Sequence, residues 1–223
     1  MMRELNVELR DLGRTFENTH VFSHINLEVA KGEAAAILGP SGLGKTTLLR
    51  IIGTLDRPTQ GEVKICGEDV LAMGKSELAD LRWERIGFSF QEPTLLPGLS
   101  VLDNVLLPCF PRIKGEKLDG YREKATELLS ALGLRERLNY RPHQVSVGQK
   151  KRVDLARALV NDPDVIIVDE PTTNLDSESA EIISGMLSRV VEGGRTVVLT
   201  THVDKSLLDM SKVRLDIQDY ESP

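Results

Sequence analysis

Cysteine is scarce in this sequence: two among 223 residues, Cys66 and Cys109, far apart and with no histidine cluster near either. That spacing excludes a disulfide framework and a zinc site, and it predicts reduced thiols in a cytoplasmic protein. Long apolar runs are missing as well. Runs such as Val165 to Val168 fall far short of the roughly 20 residues of a spanning helix. The opening MMRELNVELR carries no apolar core of signal-peptide length. The expectation is a chain that is neither exported by a cleavable signal nor membrane-spanning. A basic excess is also lacking: 28 Lys and Arg face 34 Asp and Glu, a net charge of −6, which argues against a nucleic-acid partner. The local cluster Lys150, Lys151, Arg152 reads as a solvated helix face. Neither internal repeats nor low-complexity segments occur.

What is present is an ordered alternation of apolar patterns. Asn6 to Leu9 and His24 to Val29 alternate as half-buried strands, with a turn at Lys31 and Gly32. Ala34 to Leu38 is unbroken apolar, as expected of a strand buried on both faces of a parallel sheet. Thr46 to Ile52 supplies a short helix closed by Gly53, and Pro58 to Val70 reads as a hairpin region. From Leu78 to about Leu134 the spacing is mostly helical, interrupted by Pro93, Pro97, Pro108 and Pro111, with a strand-like piece at Gly87 to Gln91. Val165 to Val168 and Thr196 to Thr200 are two more buried strands, separated by an amphipathic helix over Ile182 to Val191. This order predicts an α/β fold with a mostly parallel sheet, an N-terminal antiparallel β subdomain and an inserted α-helical subdomain. The length fits one domain, 1–223. Its expected parts are a core with the β subdomain over about 1–90 and 161–223, and a helical subdomain over about 91–160.

The segment from Gly39 to Thr46 matches G-x-x-x-x-G-K-[ST] between a buried strand and a helix. Such a loop needs glycines so that backbone N–H groups can surround phosphate oxygens, and the helix N-terminus adds a favourable dipole. Lys45 is placed to reach β- and γ-phosphates, and Thr46 to bind Mg²⁺ through its hydroxyl. Asp169 and Glu170 follow the run VIIV and emerge at the C-terminal end of a buried strand, where open α/β sheets bind ligands. There an aspartate can support Mg²⁺ and a glutamate can polarise a water. Gln91, His202 and Phe16 are weaker signals taken singly. Each is ordinarily a surface glutamine, a structural histidine and an aromatic core filler.

Taken together, Lys45, Gln91, the SVGQ stretch at 146–149, Asp169, Glu170, Asp176 and His202 resemble the ATP-binding subunit of ABC transporters over nearly the whole chain. LDRPTQGEV, IGFSFQEPTLLPGLSVLDNV and ARALVNDPDVIIVDEPTTNLD are most similar to the branch holding the lipoprotein-releasing, macrolide-export and cell-division ATPases. The resemblance implies an ATPase whose two copies, a homodimer, sandwich two ATP molecules. Phe16 would stack on adenine. Gly39, Pro40, Ser41, Gly42, Leu43, Gly44, Lys45, Thr46 and Thr47 would hold the phosphates. Thr46 and Gln91 would ligate Mg²⁺ with support from Asp169. Glu170 would act as general base, and His202 would contact the γ-phosphate. From the opposite subunit, Ser146, Gly148 and Gln149 would close over that phosphate, with Asp176 linking the two sites. The output implied is export or extraction of a lipid-like or hydrophobic substrate through a separate integral membrane permease, with this chain peripheral on the cytoplasmic side. The alternative is a non-transport ATPase acting as a switch on a partner complex.

Two positions depart from the family pattern: Val147 replaces the first of two glycines, and Val203 follows His202 where Asp is common. A β-branched residue is a poor occupant if position 147 needs φ > 0 or a close approach, and harmless if it needs neither.

Overall fold

The computed structural model describes residues 3–17, 19–201 and 204–220. In chain order its strands are β1 (Leu5–Phe16), β2 (Thr19–Ala30), β3 (Ala34–Leu38), β4 (Gln60–Ile65), β5 (Glu68–Asp69), β6 (Ile86–Ser89), β7 (Val165–Val168), β8 (Thr196–Thr200) and β9 (Val213–Asp216). The helices are α1 (Lys45–Ile52), α2 (Lys75–Arg85), α3 (Val101–Leu106), α4 (Glu116–Ala131), α5 (Val147–Leu159), α6 (Ser177–Glu192) and α7 (Lys205–Met210).

Two sheets result. One is antiparallel, in the order β2-β1-β4-β5, and the other has the order β6-β7-β8-β3-β9 with every neighbouring pair parallel. The parallel strands read as unbroken apolar runs because both of their faces are covered. Ile166, Val168, Val197 and Leu199 pack with residues of α3 to α6, while Val165, Ile167 and Val198 pack with α1 and the antiparallel sheet. Each fully buried side chain of this size contributes about 1.5–3 kcal/mol, so the sheet is the stable frame on which loops at its edge are hung.

The differences from the sequence expectations have local causes. Alternation marks strands only to Leu9 and from His24, whereas β1 runs on to Phe16 and β2 begins at Thr19. The pairing register shifts between Leu9 and Leu12, and such irregularities break the period of two. β6 stops at Ser89, so Gln91 lies in the loop beyond the strand. α6 starts five residues before Ile182, at Ser177, because Asp176 caps it and its first turn is polar. β9 and α7 are too short to show a period.

Candidate functional site

The strand order sets the C-terminal ends of β6, β7, β8 and β3 side by side. Gln91 follows β6, Asp169 and Glu170 follow β7, Thr200 ends β8, and the loop from Gly39 follows β3. Gly44 is the N-cap of α1 at φ 89°, a left-handed backbone conformation, and a Cβ there would lie 2.4 Å from Val21 Cγ1. Only glycine fits both demands. No side chain caps α1, and a helix start of this kind suits an anion. Lys45 is buried, and its Nζ donates to the carbonyls of Gly39 and Pro40 at 2.8 Å each.

The carboxylates are fixed by hydroxyls. Thr46 Oγ1 donates to Asp169 Oδ2 at 2.7 Å, and Thr200 Oγ1 donates to Asp169 Oδ1 at 2.6 Å. Thr200 Oγ1 also accepts from the Glu170 amide at 2.8 Å. Glu170 sits at φ 44°, a conformation that costs an L-residue roughly 1–2 kcal/mol. Its backbone is held on the other side by Lys151 of α5, whose Nζ donates to the carbonyls of Glu170 (2.9 Å) and Thr173 (3.0 Å). Burial pushes the Lys151 ammonium below its usual range, against the opposing pull of Glu170 and Asp169. Gln91 Nε2 donates to Glu170 Oε2 at 2.9 Å, which closes the set.

These groups face a cavity of about 380 Å³ lined by Phe16, Val21, Ser41, Gly42, Gly44, Lys45, Thr46, Thr47, Gln91 and Glu170. Phe16 is partly exposed at the end of β1, and the Arg14 guanidinium lies 4.1 Å from its ring centre. Gly39, Pro40 and Leu43 belong to the same loop but do not line the cavity, and Asp169 is buried just behind it. Ser146, Gly148, Gln149 and Asp176 do not line it either. Ser146 caps α5, with Gln149 N donating to Ser146 Oγ (3.2 Å) and Ser146 N to Gln149 Oε1 (3.0 Å). Asp176 caps α6 through Ser179 N at 2.8 Å, and Gly148 is packed so closely on Ser179 that a Cβ would lie 2.6 Å from its Oγ. His202 and Val203 lie outside the described residues.

The donor set suits a polyphosphate with a hard divalent cation. Thr46 hydroxyl, Asp169 carboxylate and Gln91 amide offer oxygens and no soft ligand. No cluster of three or more His, Cys, Asp or Glu able to hold a metal occurs among the described residues. A magnesium site needs none, because one or two side chains and phosphate oxygens complete it. Sequence reasoning missed Thr200, Lys151 and Val21. Thr200 could have been found as the polar end of an otherwise apolar strand, but Lys151 looks like one member of a basic helix face until α5 is docked.

Comparison with known proteins gives concordant matches. The family model described as "ABC transporter" matches residues 22–173. The lipoprotein-releasing system ATP-binding protein LolD 1 of Rhodopirellula baltica is 44% identical over 91% of this chain and 88% of its own length. The macrolide export ATP-binding/permease protein MacB 1/2 of Paracoccus denitrificans is also 44% identical, over 88% of this chain, which spans only 30% of that protein. Among solved structures, the dimeric structure of MJ0796, a bacterial ABC transporter cassette, shares 37% identity. Its TM-score is 0.85, over 95% of this chain and 94% of that one. MJ0796 has also been solved in a dimeric post-hydrolysis state bound to ADP and Pi, at a TM-score of 0.86 over 94% and 93% of the two chains.

Proposed function

This chain belongs to the ABC transporter family and is an ATPase of that family, and from this premise we propose that the cavity between Phe16 and Glu170 is its nucleotide site. The observation that carries the assignment is the joined set Thr46–Asp169–Thr200 and Gln91–Glu170 beside the Gly44 helix start. Lys45 and the N–H groups of Ser41 to Thr47 bind phosphate oxygens, and Phe16 offers an aromatic surface to the base. Thr46, Gln91 and Asp169 are the residues that would hold Mg²⁺. When bound, the ion supplies charge neutralisation on the phosphates. Glu170 accepts a proton from the attacking water at its carboxylate, and Gln91 sets the direction of that carboxylate. His202 is assigned to the γ-phosphate on sequence grounds.

Ser146, Gly148, Gln149 and Asp176 complete the site of a second copy, since they stand away from the cavity of their own chain. The relatives named for lipoprotein release and macrolide export support a chain that works at a membrane, and the face we propose for it is the cytoplasmic one. There it would drive a separate permease that moves a lipid-like or hydrophobic substrate. No helix among the described residues is long and apolar enough to cross a membrane. The helices between residues 91 and 160 are the inserted subdomain of this reading.

Replacing Glu170 with Gln tests the site. Steady-state hydrolysis should fall by about 100-fold or more while nucleotide affinity stays within about two-fold, as expected for loss of a general base. A variant that hydrolyses ATP at the wild-type rate overturns the assignment. Native co-purification tests the partner: a membrane subunit should accompany this chain.

A further inference from the structure

α5 carries a buried carboxylate that the nucleotide site does not use. Asp154 is fully buried, and one of its oxygens, Oδ2, accepts from Ser89 Oγ at 2.8 Å and from the Phe90 amide at 2.9 Å. Its other oxygen, Oδ1, pairs with Arg157 one turn further on, and Arg157 Nη1 donates to the Thr94 carbonyl at 2.9 Å. The two residues therefore grip the chain just before and just after Gln91. They can do so because α5 lies directly on β6: a Cβ at Gly87 would stand 2.1 Å from the Ala158 carbonyl oxygen.

Stability alone does not account for a charge in this place. Burial pushes the Asp154 carboxyl above the usual carboxylate range, against the opposing effect of Arg157 and of the bonds from Ser89 and Phe90. A buried ion pair is commonly no more stabilising than apolar side chains of the same volume. What the pair does provide is a fixed geometry between α5, whose N-terminus bears Ser146, and the loop bearing Gln91, whose amide holds Glu170.

We propose that Asp154 is a positioning residue for hydrolysis, locking the Gln91 loop to α5 so that Gln91 and Glu170 keep their register whenever the Ser146 end of the helix moves. The proposal rests on the nucleotide-site reading above. It requires that loss of the bonds to Ser89 and Phe90 lower kcat and leave the phosphate loop, and with it ATP affinity, undisturbed. A displaced catalytic group costs on the order of ten-fold or more in rate.

Asp154→Asn can keep an oxygen toward Ser89 and Phe90 while abolishing the ion pair. Asp154→Leu removes both bonds, and the double variant D154L/R157M replaces the whole pair by apolar volume and protects folding. Expected are a kcat within about three-fold of wild type for Asp154→Asn and a loss of about ten-fold or more for the two leucine variants, with ATP affinity unchanged throughout. Adding Gln91→Ala to the leucine variants should lower kcat little further, because the two changes interrupt one linkage. In the wild type, the Phe90 amide should be protected from hydrogen exchange, and the leucine variants should expose it. Leucine variants with wild-type kcat, or an asparagine variant as impaired as they are, overturn the proposal. Absence of ATPase activity in the wild type instead overturns the nucleotide-site reading itself.

Discussion

Val147 and Gly148 are neighbours with opposite steric surroundings. Val147 opens α5 with ordinary helical backbone and is 59% exposed, so nothing in its own chain calls for glycine there. Gly148 faces Ser179 at a distance that excludes a Cβ. Gly148→Ala should destabilise the fold by about 1–3 kcal/mol through overpacking, and Val147→Gly by less than about 1 kcal/mol, both read from denaturant midpoints. On the proposed reading any influence of Val147 on rate is exerted on a second copy. Val147→Gly should raise the steady-state ATPase rate at protein concentrations that favour dimers and leave it unchanged in dilute solution. An equal or lower rate in both regimes would refute this.

The elements differ in how plainly the sequence announces them. β3, β7 and β8 are buried on both faces and read as continuous apolar runs, and their C-terminal ends carry the groups that chemistry requires. Lys45, Thr46, Asp169 and Glu170 are therefore legible together. Lys151 and Asp154 are not, because their partners are carbonyls and amides brought near only when α5 docks on Gly87. The start of α6 was hidden for a related reason, since a cap depends on a polar side chain turning back on the backbone. Hydrogen bonds from Ser179, from its amide first and then its hydroxyl, hold the Asp176 carboxyl below its ordinary 3.8. A folded value below the unfolded one gives a contribution that is complete above the unfolded value and lost as pH falls through the folded one. Asp176→Ala should consequently melt below wild type at neutral pH, with the gap closing as pH falls through the carboxylate range. Thermal melts across that range check it, and a gap independent of pH would contradict the cap.

At the scale of the whole molecule the candidate site is divided. Phe16, residues of the phosphate loop, Gln91 and Glu170 share one cavity, and Ser146, Gly148, Gln149 and Asp176 do not line it. On the proposed reading, blocking hydrolysis should hold two copies together around nucleotide. Light scattering of Glu170→Gln with Mg-ATP should report a dimer that disperses when the nucleotide is removed. A variant that stays monomeric under those conditions would count against the division of the site between copies.

Ser146 and Gln149 have a further bearing on how such a dimer comes apart. In the isolated chain each already satisfies the other, amide to hydroxyl and amide to carbonyl oxygen. Both bonds use the side-chain oxygens as acceptors, so on the proposed reading the Ser146 hydroxyl hydrogen and Gln149 Nε2 are the donors a bound phosphate would meet, with no cap bond broken. On that reading the internal pairing persists whether or not the anion is there, and the joint between copies opens without leaving the first turn of α5 unsatisfied. A helix start that keeps its own cap in both states is one on which contacts between copies could form and dissolve repeatedly without refolding.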